Sequence, residues 1–362
     1  MICFLIIPTI KQGGAERVMS ELANEWASQN HEVHLVLLAK AEKFYPIKKE
    51  IIVHDLGFEN KGGVRRFIAE FRIFLDLRNL LKREHPDFVL SFMTKYNILT
   101  LLASLFLDLK IFVSDRSNPF KKLPAHLVFF RKHTYKFATG IIAQTNTAKK
   151  LLELDTGNNN IETIPNPVKE IQVFPLLNRE KIILNIGRLV PEKGQKYLLE
   201  AFSKIEDTSW KLVILGDGPL KTELSNLAQS CKITDRFLMP GSVNNIDEWL
   251  AKSSIFVFSS ISEGFPNALA EAMAAGLPVI SFDCDAGPRD IIQQNENGVL
   301  IEEKDVAGLT EAINNLIKNK DLRESLGRNS LQIREQFSLP KIAGRYFDFM
   351  KSEAKSKKSE NK

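Results

Sequence analysis

Residues 255–282 read IFVFSSISEGFPNALAEAMAAGLPVISF. The apolar run Ile255–Phe258 has the length and composition of a buried strand, Pro266 marks a helix start, and the run 278–282 is a second strand-like stretch. Two strands joined through a helix pair in parallel, because the crossover returns the chain to the same end of the sheet. The segment therefore predicts an α/β protein built on parallel sheets.

Working outward, short strand-like runs alternate with helical patterns from the first residues to about residue 303. They occupy 2–7, 32–38, 51–56, 87–92, 110–114 and 140–144. A stretch containing Pro165, Pro167 and Pro175 interrupts them, and a second series follows at 181–186, 211–215, 236–239, 255–258, 278–282 and 298–301. The pattern predicts two doubly wound domains joined near residues 165–180. The expected divisions are 1–172 and 173–336, then a C-terminal helix over 337–350 that packs back toward the first domain, and a tail over 351–362. That tail, KSEAKSKKSENK, is charged and has no core residues, which predicts disorder.

With 362 residues, 44% of them hydrophobic and 26% charged, the chain can bury two sizeable cores. Cys3, Cys231 and Cys284 lie far apart and match no zinc or redox spacing, so they are read as reduced thiols of a cytosolic protein. The six histidines lack metal-ligand spacing. The opening MICFLIIP has no basic leader or small-residue cleavage site and is read as a first strand. Apolar stretches such as 98–107 are well short of the roughly 18 to 20 residues of a membrane span. Charge is uneven: up to Gln172 there are 24 Lys and Arg against 18 Asp and Glu, while the whole chain carries only +5. The positive excess of the first half suits an anionic surface.

Ligands of open parallel sheets bind outside the carboxyl ends of the strands, so the loops there hold the candidate site. After the first strand comes KQGGAERV, where Gly13 and Gly14 allow close backbone approach and the helix start offers N–H groups to an anion. A tight strand-to-helix turn needs glycine as well, and the loop lacks the third glycine and ribose-binding acid of a dinucleotide site. The second domain opens NIGRLVPEKG, with Arg188 and Lys193 just past a strand, where both cations can reach a diphosphate. The loop LGDGPL, with Gly216, Gly218 and Pro219, is read as mainly structural. In SEGFPNALAE, Glu263 lies in the loop and Glu271 on the following helix, with seven residues between them, a separation of about the size of a nucleotide sugar. Between them, the amides of Gly264, Phe265, Pro266 and Asn267 can bind phosphate oxygens at the helix start.

Together, GGAER, GRLVPEKG, the two spaced glutamates and AGPRDII resemble the retaining GT-B glycosyltransferases, the large family typified by sucrose synthase and bacterial mannosyltransferases. The resemblance spans nearly the whole chain, and is nearest to bacterial transferases that extend oligosaccharides on polyprenyl diphosphate, N-acetylgalactosaminyl transferases among them. It implies two Rossmann-like doubly wound domains facing across a cleft, with C-terminal helices. The implied reaction moves a hexose or N-acetylhexosamine from a nucleotide diphosphate sugar, UDP rather than GDP, to a lipid-linked or cell-surface oligosaccharide with retention at the anomeric carbon. On the matching positions, Glu263 would bind hydroxyls of the donor sugar and Glu271 the ribose. Arg188 and Lys193 would hold the diphosphate with Gly14 close to it, and backbone near Gly241 and Val243 would read the base. Catalysis would come from Arg188, Lys193 and Glu263, without metal or cofactor. The chain departs from many relatives at SDRSNP, where Arg116 stands in place of a histidine near the donor sugar, so Asp115 and Arg116 are both substrate-binding candidates.

Asp283, Cys284 and Asp285 imitate the two-aspartate metal motif of other transferases, but their place after a second-domain strand speaks for coincidence. On the acceptor side, VRRFIAEFRIFLDLRNLLKRE puts Val64, Phe67, Ile68, Phe71, Phe74 and Leu75 at helical spacing, with Arg65, Arg72 and Arg83 along one shoulder. The segment FKKLPAHLVFFRKHTYKF interleaves Phe120, Phe129, Phe130 and Tyr135 with Lys121, Lys122, Arg131, Lys132 and Lys136. Either both segments pack on the first sheet with solvated cations, or their basic, aromatic flanks rest on anionic lipid. The second alternative predicts a cytoplasmic protein peripheral on the inner face of the plasma membrane. Its partners would be a nucleotide sugar, a lipid-linked glycan and the anionic surface, and no nucleic acid. A sugar-nucleotide epimerase or phosphorylase, or a non-catalytic nucleotide-sugar binder, shares the same plan. The joint presence of Arg188, Lys193, Glu263 and Glu271 argues against lost chemistry.

Overall fold

The computed structural model describes residues 1–40, 42–58, 64–171 and 179–360. The chain divides into two compact units, Met1–Pro167 with Leu339–Lys362, and Val168–Ser338. Val168 and Ile171 are buried in the core of the second unit, and the Val168 N–H donates to the Phe337 carbonyl at 2.8 Å. The division therefore falls at Pro167, ahead of the expected 172. Pro175 lies outside the described residues.

The first unit holds strands β1 (Ile2–Ile7), β2 (Glu32–Ala39), β3 (Ile52–Phe58), β4 (Phe88–Phe92), β5 (Ile111–Ser114), β6 (Gly140–Ala143) and β7 (Ile161–Thr163). Their order is β3-β2-β1-β4-β5-β6-β7, with every pairing parallel. The central strands β1, β4, β5 and β6 are near-continuous apolar runs, as expected where both faces of a parallel sheet are covered. β7 goes beyond the sequence reading: three residues between an asparagine run and Pro165 are too few to show a period. On one face, helices Val64–Glu84, Thr94–Ala103, Ala125–Thr134 and Asn146–Thr156 share a core that includes Leu77, Leu101 and Leu152. Helix Gly14–Ser28 buries Val18, Met19, Leu22 and Trp26, and it meets the C-terminal helix through Trp26, whose Nε1 donates to the Ala343 carbonyl at 3.3 Å.

That C-terminal helix spans Leu339–Glu360, which corrects the expectation of a disordered segment from residue 351. Its last turns contain no proline or glycine and consist largely of Lys, Glu, Ala and Ser, which an already nucleated helix can continue through.

The second unit holds β8 (Ile182–Ile186), β9 (Lys211–Leu215), β10 (Phe237–Gly241), β11 (Ile255–Phe258), β12 (Val279–Phe282) and β13 (Val299–Ile301). All are parallel, in the order β10-β9-β8-β11-β12-β13. One core lies on each face of this sheet, around Leu212 and Val257 on one and Val213 and Phe256 on the other. Among the described residues, no helix is long and apolar enough to cross a membrane.

Candidate functional site

In the second sheet the winding reverses between β8 and β11, the kind of switch point at whose strand carboxyl ends open parallel sheets bind ligands. Lys193 stands on the loop after β8 and Glu263 on the loop after β11. Lys193 Nζ lies 2.5 Å from Glu263 Oε1, with the two side chains 21% and 10% exposed. The ammonium also stands 5.6 Å from the Phe258 ring centre.

Backbone contacts tie the two loops together. Ser259 Oγ donates to the Lys193 carbonyl at 3.0 Å, and the Ile261 N–H to the Glu192 carbonyl at 2.9 Å. Gly194 has φ 58°, and a Cβ there would meet the Ser259 carbonyl oxygen at 2.2 Å, so only glycine permits this approach. From the other side the LGDGPL loop braces the segment: the Leu189 N–H donates to the Asp217 carbonyl at 3.0 Å, and a Cβ on Gly216 would lie 2.0 Å from the Gly187 carbonyl oxygen. Arg188, between these braces, is exposed and its side chain projects from a fixed backbone.

Helix Asn267–Ala274 begins after Pro266, which occupies the N-cap position. Of the four positions expected to offer amides, proline has no N–H, and the Asn267 N–H donates to the Phe265 carbonyl at 3.0 Å. That corrects the amide set to Gly264 and Phe265. The Phe265 side chain belongs to the core, 6.2 Å from the Phe337 ring. Pro266 is buried against Gly287, where a Cβ would meet its Cδ at 2.5 Å. Glu271 is half-buried on the helix. Gly241 ends β10 with φ 90° beside open space, its carbonyl accepting from the Gly216 N–H at 2.9 Å, and Val243 packs half-buried on the core. Arg188, Lys193, Glu263, Glu271 and Val243 thus all follow strands of one sheet, and Gly241 ends one.

Asp283 is held by Arg289 through both oxygens, at 2.9 and 2.7 Å. Cys284 is buried, and burial pushes its thiol up to about 12. Among the described residues no group of three His, Cys, Asp or Glu could hold a metal ion.

In the first unit the winding reverses between β1 and β4. Gly13 caps the helix after β1, but its N–H donates to Tyr45 Oη at 3.3 Å, and its carbonyl accepts from Tyr45 Oη and from the Arg17 N–H, both at 3.0 Å. The buried Glu16 carboxylate lies where a Cβ on Gly13 would be, placing a negative charge in the first helical turn. Gly13 is therefore already engaged by the protein, while Gly14 is exposed. A feature absent from the sequence reading is Met93, the N-cap of helix Thr94–Ala103 at φ 76° and ψ 128°, a conformation costly for any side-chain-bearing residue. Nothing in SFMTKY signals it.

Asp115 is consumed within its own unit. Its Oδ1 accepts from Thr94 Oγ1 at 2.9 Å, Asn97 Nδ2 at 3.1 Å and Tyr135 Oη at 2.6 Å, and its Oδ2 faces Arg131 Nη1 at 3.5 Å. Arg116 donates to Tyr346 Oη at 2.9 Å and to Asn166 Oδ1, and lies over the Phe92 ring at 4.3 Å. Burial lowers its pKa, with Tyr346 acting in the opposite direction.

The acceptor-side segments separate into core and surface. Helix Val64–Glu84 buries Ala69, Leu77, Leu80 and Leu81, whereas Ile68 and Phe71 are 64% and 63% exposed and Leu75 is exposed as well. The face named from the sequence is therefore largely the outer one, and Val64, Arg65 and Phe67 are outside the described side chains. Phe120, Phe129 and Phe130 are exposed, but Tyr135 is fully buried and Arg131 pairs with Asp155 and Asp115, which removes both from any surface patch.

Residues 168–332 match the family described as Glycosyl transferases group 1, and residues 12–170 match Glycosyltransferase Family 4. An uncharacterized glycosyltransferase of Methanocaldococcus jannaschii is 32% identical over 278 residues, covering 68% of each chain. An alpha-1,4-N-acetyl-D-galactosaminyltransferase of Campylobacter jejuni, named for an undecaprenol diphosphate-linked acceptor, is 28% identical over 344 residues, 93% of this chain and 94% of its own. HepE of Anabaena, solved in complex with UDP, shares the fold with a TM-score of 0.81 at 17% identity over 97% of this chain and 99% of that one.

Proposed function

The chain belongs to the group 1 glycosyl transferases, and on that premise we propose that it transfers a hexose or N-acetylhexosamine from a UDP-sugar to a polyprenyl diphosphate-linked oligosaccharide, with retention of anomeric configuration. The observation that carries the donor side is the Lys193–Glu263 pair at the reversal point between β8 and β11. A cation and an acceptor carboxylate there match the two ends of the bond to be broken: an anionic leaving diphosphate and a hydroxylated sugar. Arg188 and Lys193 stabilise the charge that develops on the departing diphosphate, and Glu263 orients the sugar through its hydroxyls. The leaving phosphate takes the acceptor proton, so no carboxylate nucleophile and no metal are required.

The lipid acceptor is supported by the name of the Campylobacter jejuni relative, and UDP by the nucleotide with which HepE of Anabaena was solved. Exposed Ile68, Phe71, Phe129 and Phe130, near Arg72 and Lys132 in sequence, support attachment of the first unit to the anionic inner face of the plasma membrane. The test is to incubate the protein, in buffer containing EDTA, with UDP-sugars and GDP-sugars and a polyprenyl diphosphate oligosaccharide. The expected result is release of UDP with an α-linked product from an α-linked donor, read by NMR of the anomeric proton. Release from GDP-sugars alone, a β-linked product, or full dependence on added manganese or magnesium would each overturn the corresponding part of the reading.

A further inference from the structure

Lys193 and Glu263 form an ion pair between two loops of the second unit. Their carrier loops are fastened by the Ser259 Oγ to Lys193 carbonyl bond, the Ile261 to Glu192 backbone bond and the close approach at Gly194. The pair is thus a preorganised feature of the fold rather than a meeting of two long surface side chains. A diphosphate approaching Lys193 must draw the ammonium away from Glu263. The consequence for Glu263 depends on whether the diphosphate carries a sugar.

We propose that the Lys193–Glu263 ion pair is an exchange switch that makes the site select the intact nucleotide sugar over the free nucleoside diphosphate. When an intact donor enters, the phosphates take Lys193 while sugar hydroxyls donate to the Glu263 carboxylate, so both partners exchange one charge-assisted contact for another. When a free nucleoside diphosphate enters, Lys193 is taken and nothing replaces it on Glu263. A carboxylate only 10% exposed is then left without its cation and facing added negative charge. After transfer the same imbalance favours departure: with the sugar gone, Glu263 recaptures Lys193 and the nucleotide loses its cation. Glu263 therefore works as a specificity-determining residue as well as a sugar contact. This rests on the donor reading proposed above, in which the diphosphate sits at Lys193.

The two roles give Glu263→Gln effects of opposite sign on two ligands, which a merely structural role would not produce. Gln keeps the size of the side chain but releases the ammonium for the phosphates. Binding of UDP, and of GDP in parallel, is measured by calorimetry on the full chain, alongside steady-state kinetics with the accepted donor. The expected result is that E263Q binds the free nucleotide at least about tenfold tighter than wild type, while kcat/KM for the nucleotide sugar falls about 100-fold. Glu263→Asp keeps the charge on a shorter arm and provides a second reading if E263Q folds poorly. By loosening the pair it also tightens the free nucleotide, by less. Free-nucleotide affinity that is unchanged or weaker in the variant that folds overturns the exchange while leaving the donor reading in place. Failure of both nucleotides to bind either wild type or the variant that folds, together with no turnover of any nucleotide sugar by wild type, removes the donor reading, and the exchange with it.

Discussion

Arg116 and Lys193 each follow a strand of their own sheet, and they are held in opposite ways. Around Arg116 the hydrogen-bond partners are the hydroxyls of Tyr346 and Ser114 and the amide oxygen of Asn166, with the Phe92 ring beneath, and all are neutral. Around Lys193 the partner is a carboxylate. Neutral acceptors fix orientation and leave the positive charge standing, whereas a carboxylate cancels it until something displaces the pair. The first unit thus holds a permanent cation and the second a conditional one. A conditional cation is suited to a ligand that must arrive, react and leave.

Removing the conditional cation has the largest expected effect. On the proposed donor site, Lys193→Ala eliminates a charge-assisted donor to the leaving diphosphate, and loss of one such donor costs about 3 to 4 kcal/mol of transition-state stabilisation, or roughly 100- to 1000-fold in kcat. Arg188→Ala should behave alike, since Arg188 is exposed and free to turn toward the same charge. Steady-state turnover within twofold of wild type for both variants would break the assignment of the second unit as the donor site.

A smaller effect is expected at the permanent cation, in stability. Arg116→Lys keeps the charge, but a single ammonium on a flexible stem cannot bond Tyr346 and Asn166 together while lying flat on Phe92. Losing hydrogen bonds to a charged group costs about 1.5 to 3 kcal/mol, to be read from the urea midpoint. An unchanged midpoint would show that the neutral cage contributes nothing, and the contrast with Lys193 would lose its physical basis.

The sequence exposes the parts that depend on neighbours in the chain. Alternating strands and helices, the loops carrying Arg188 and Lys193, and the glutamates flanking Pro266 all follow from local period and punctuation. The pairing of Lys193 with Glu263 across seventy residues does not, because it depends on β8 lying beside β11, which no local pattern states. The capture of Asp115 by Tyr135 and Arg131 is hidden for the same reason. Helix Val64–Glu84 illustrates a second kind of blindness. It carries apolar residues around most of its circumference, so spacing shows that it is helical without showing which side faces the sheet. The strained Met93 backbone and the helix beyond residue 351 stay hidden because composition there points elsewhere.

The smallest effects per residue are expected on the outer face of the first unit, and they test whether the positive excess there has a surface to meet. Phe120, Phe129 and Phe130 are exposed, and Lys121, Lys122 and Lys132 stand beside them in sequence, exposed as well. Each lysine near an anionic leaflet contributes roughly 1 kcal/mol, so three lysines and a few inserted rings give reversible attachment. The protein should sediment with vesicles containing anionic lipid, weakly with neutral ones, and be released by raised salt as the charges are screened. The informative variant is Lys121→Ser with Lys122→Ser and Lys132→Ser. It leaves Arg131 in place, because Arg131 pairs with Asp155 and Asp115 and its loss would disturb the core instead. That triple variant should need correspondingly more anionic lipid for the same bound fraction, while its affinity for UDP, which the proposed donor site assigns to the second unit, stays at the wild-type value. Equal sedimentation with neutral and anionic vesicles, or with neither, would make these cations a solvated face, and the exposed phenylalanines would then need a different partner.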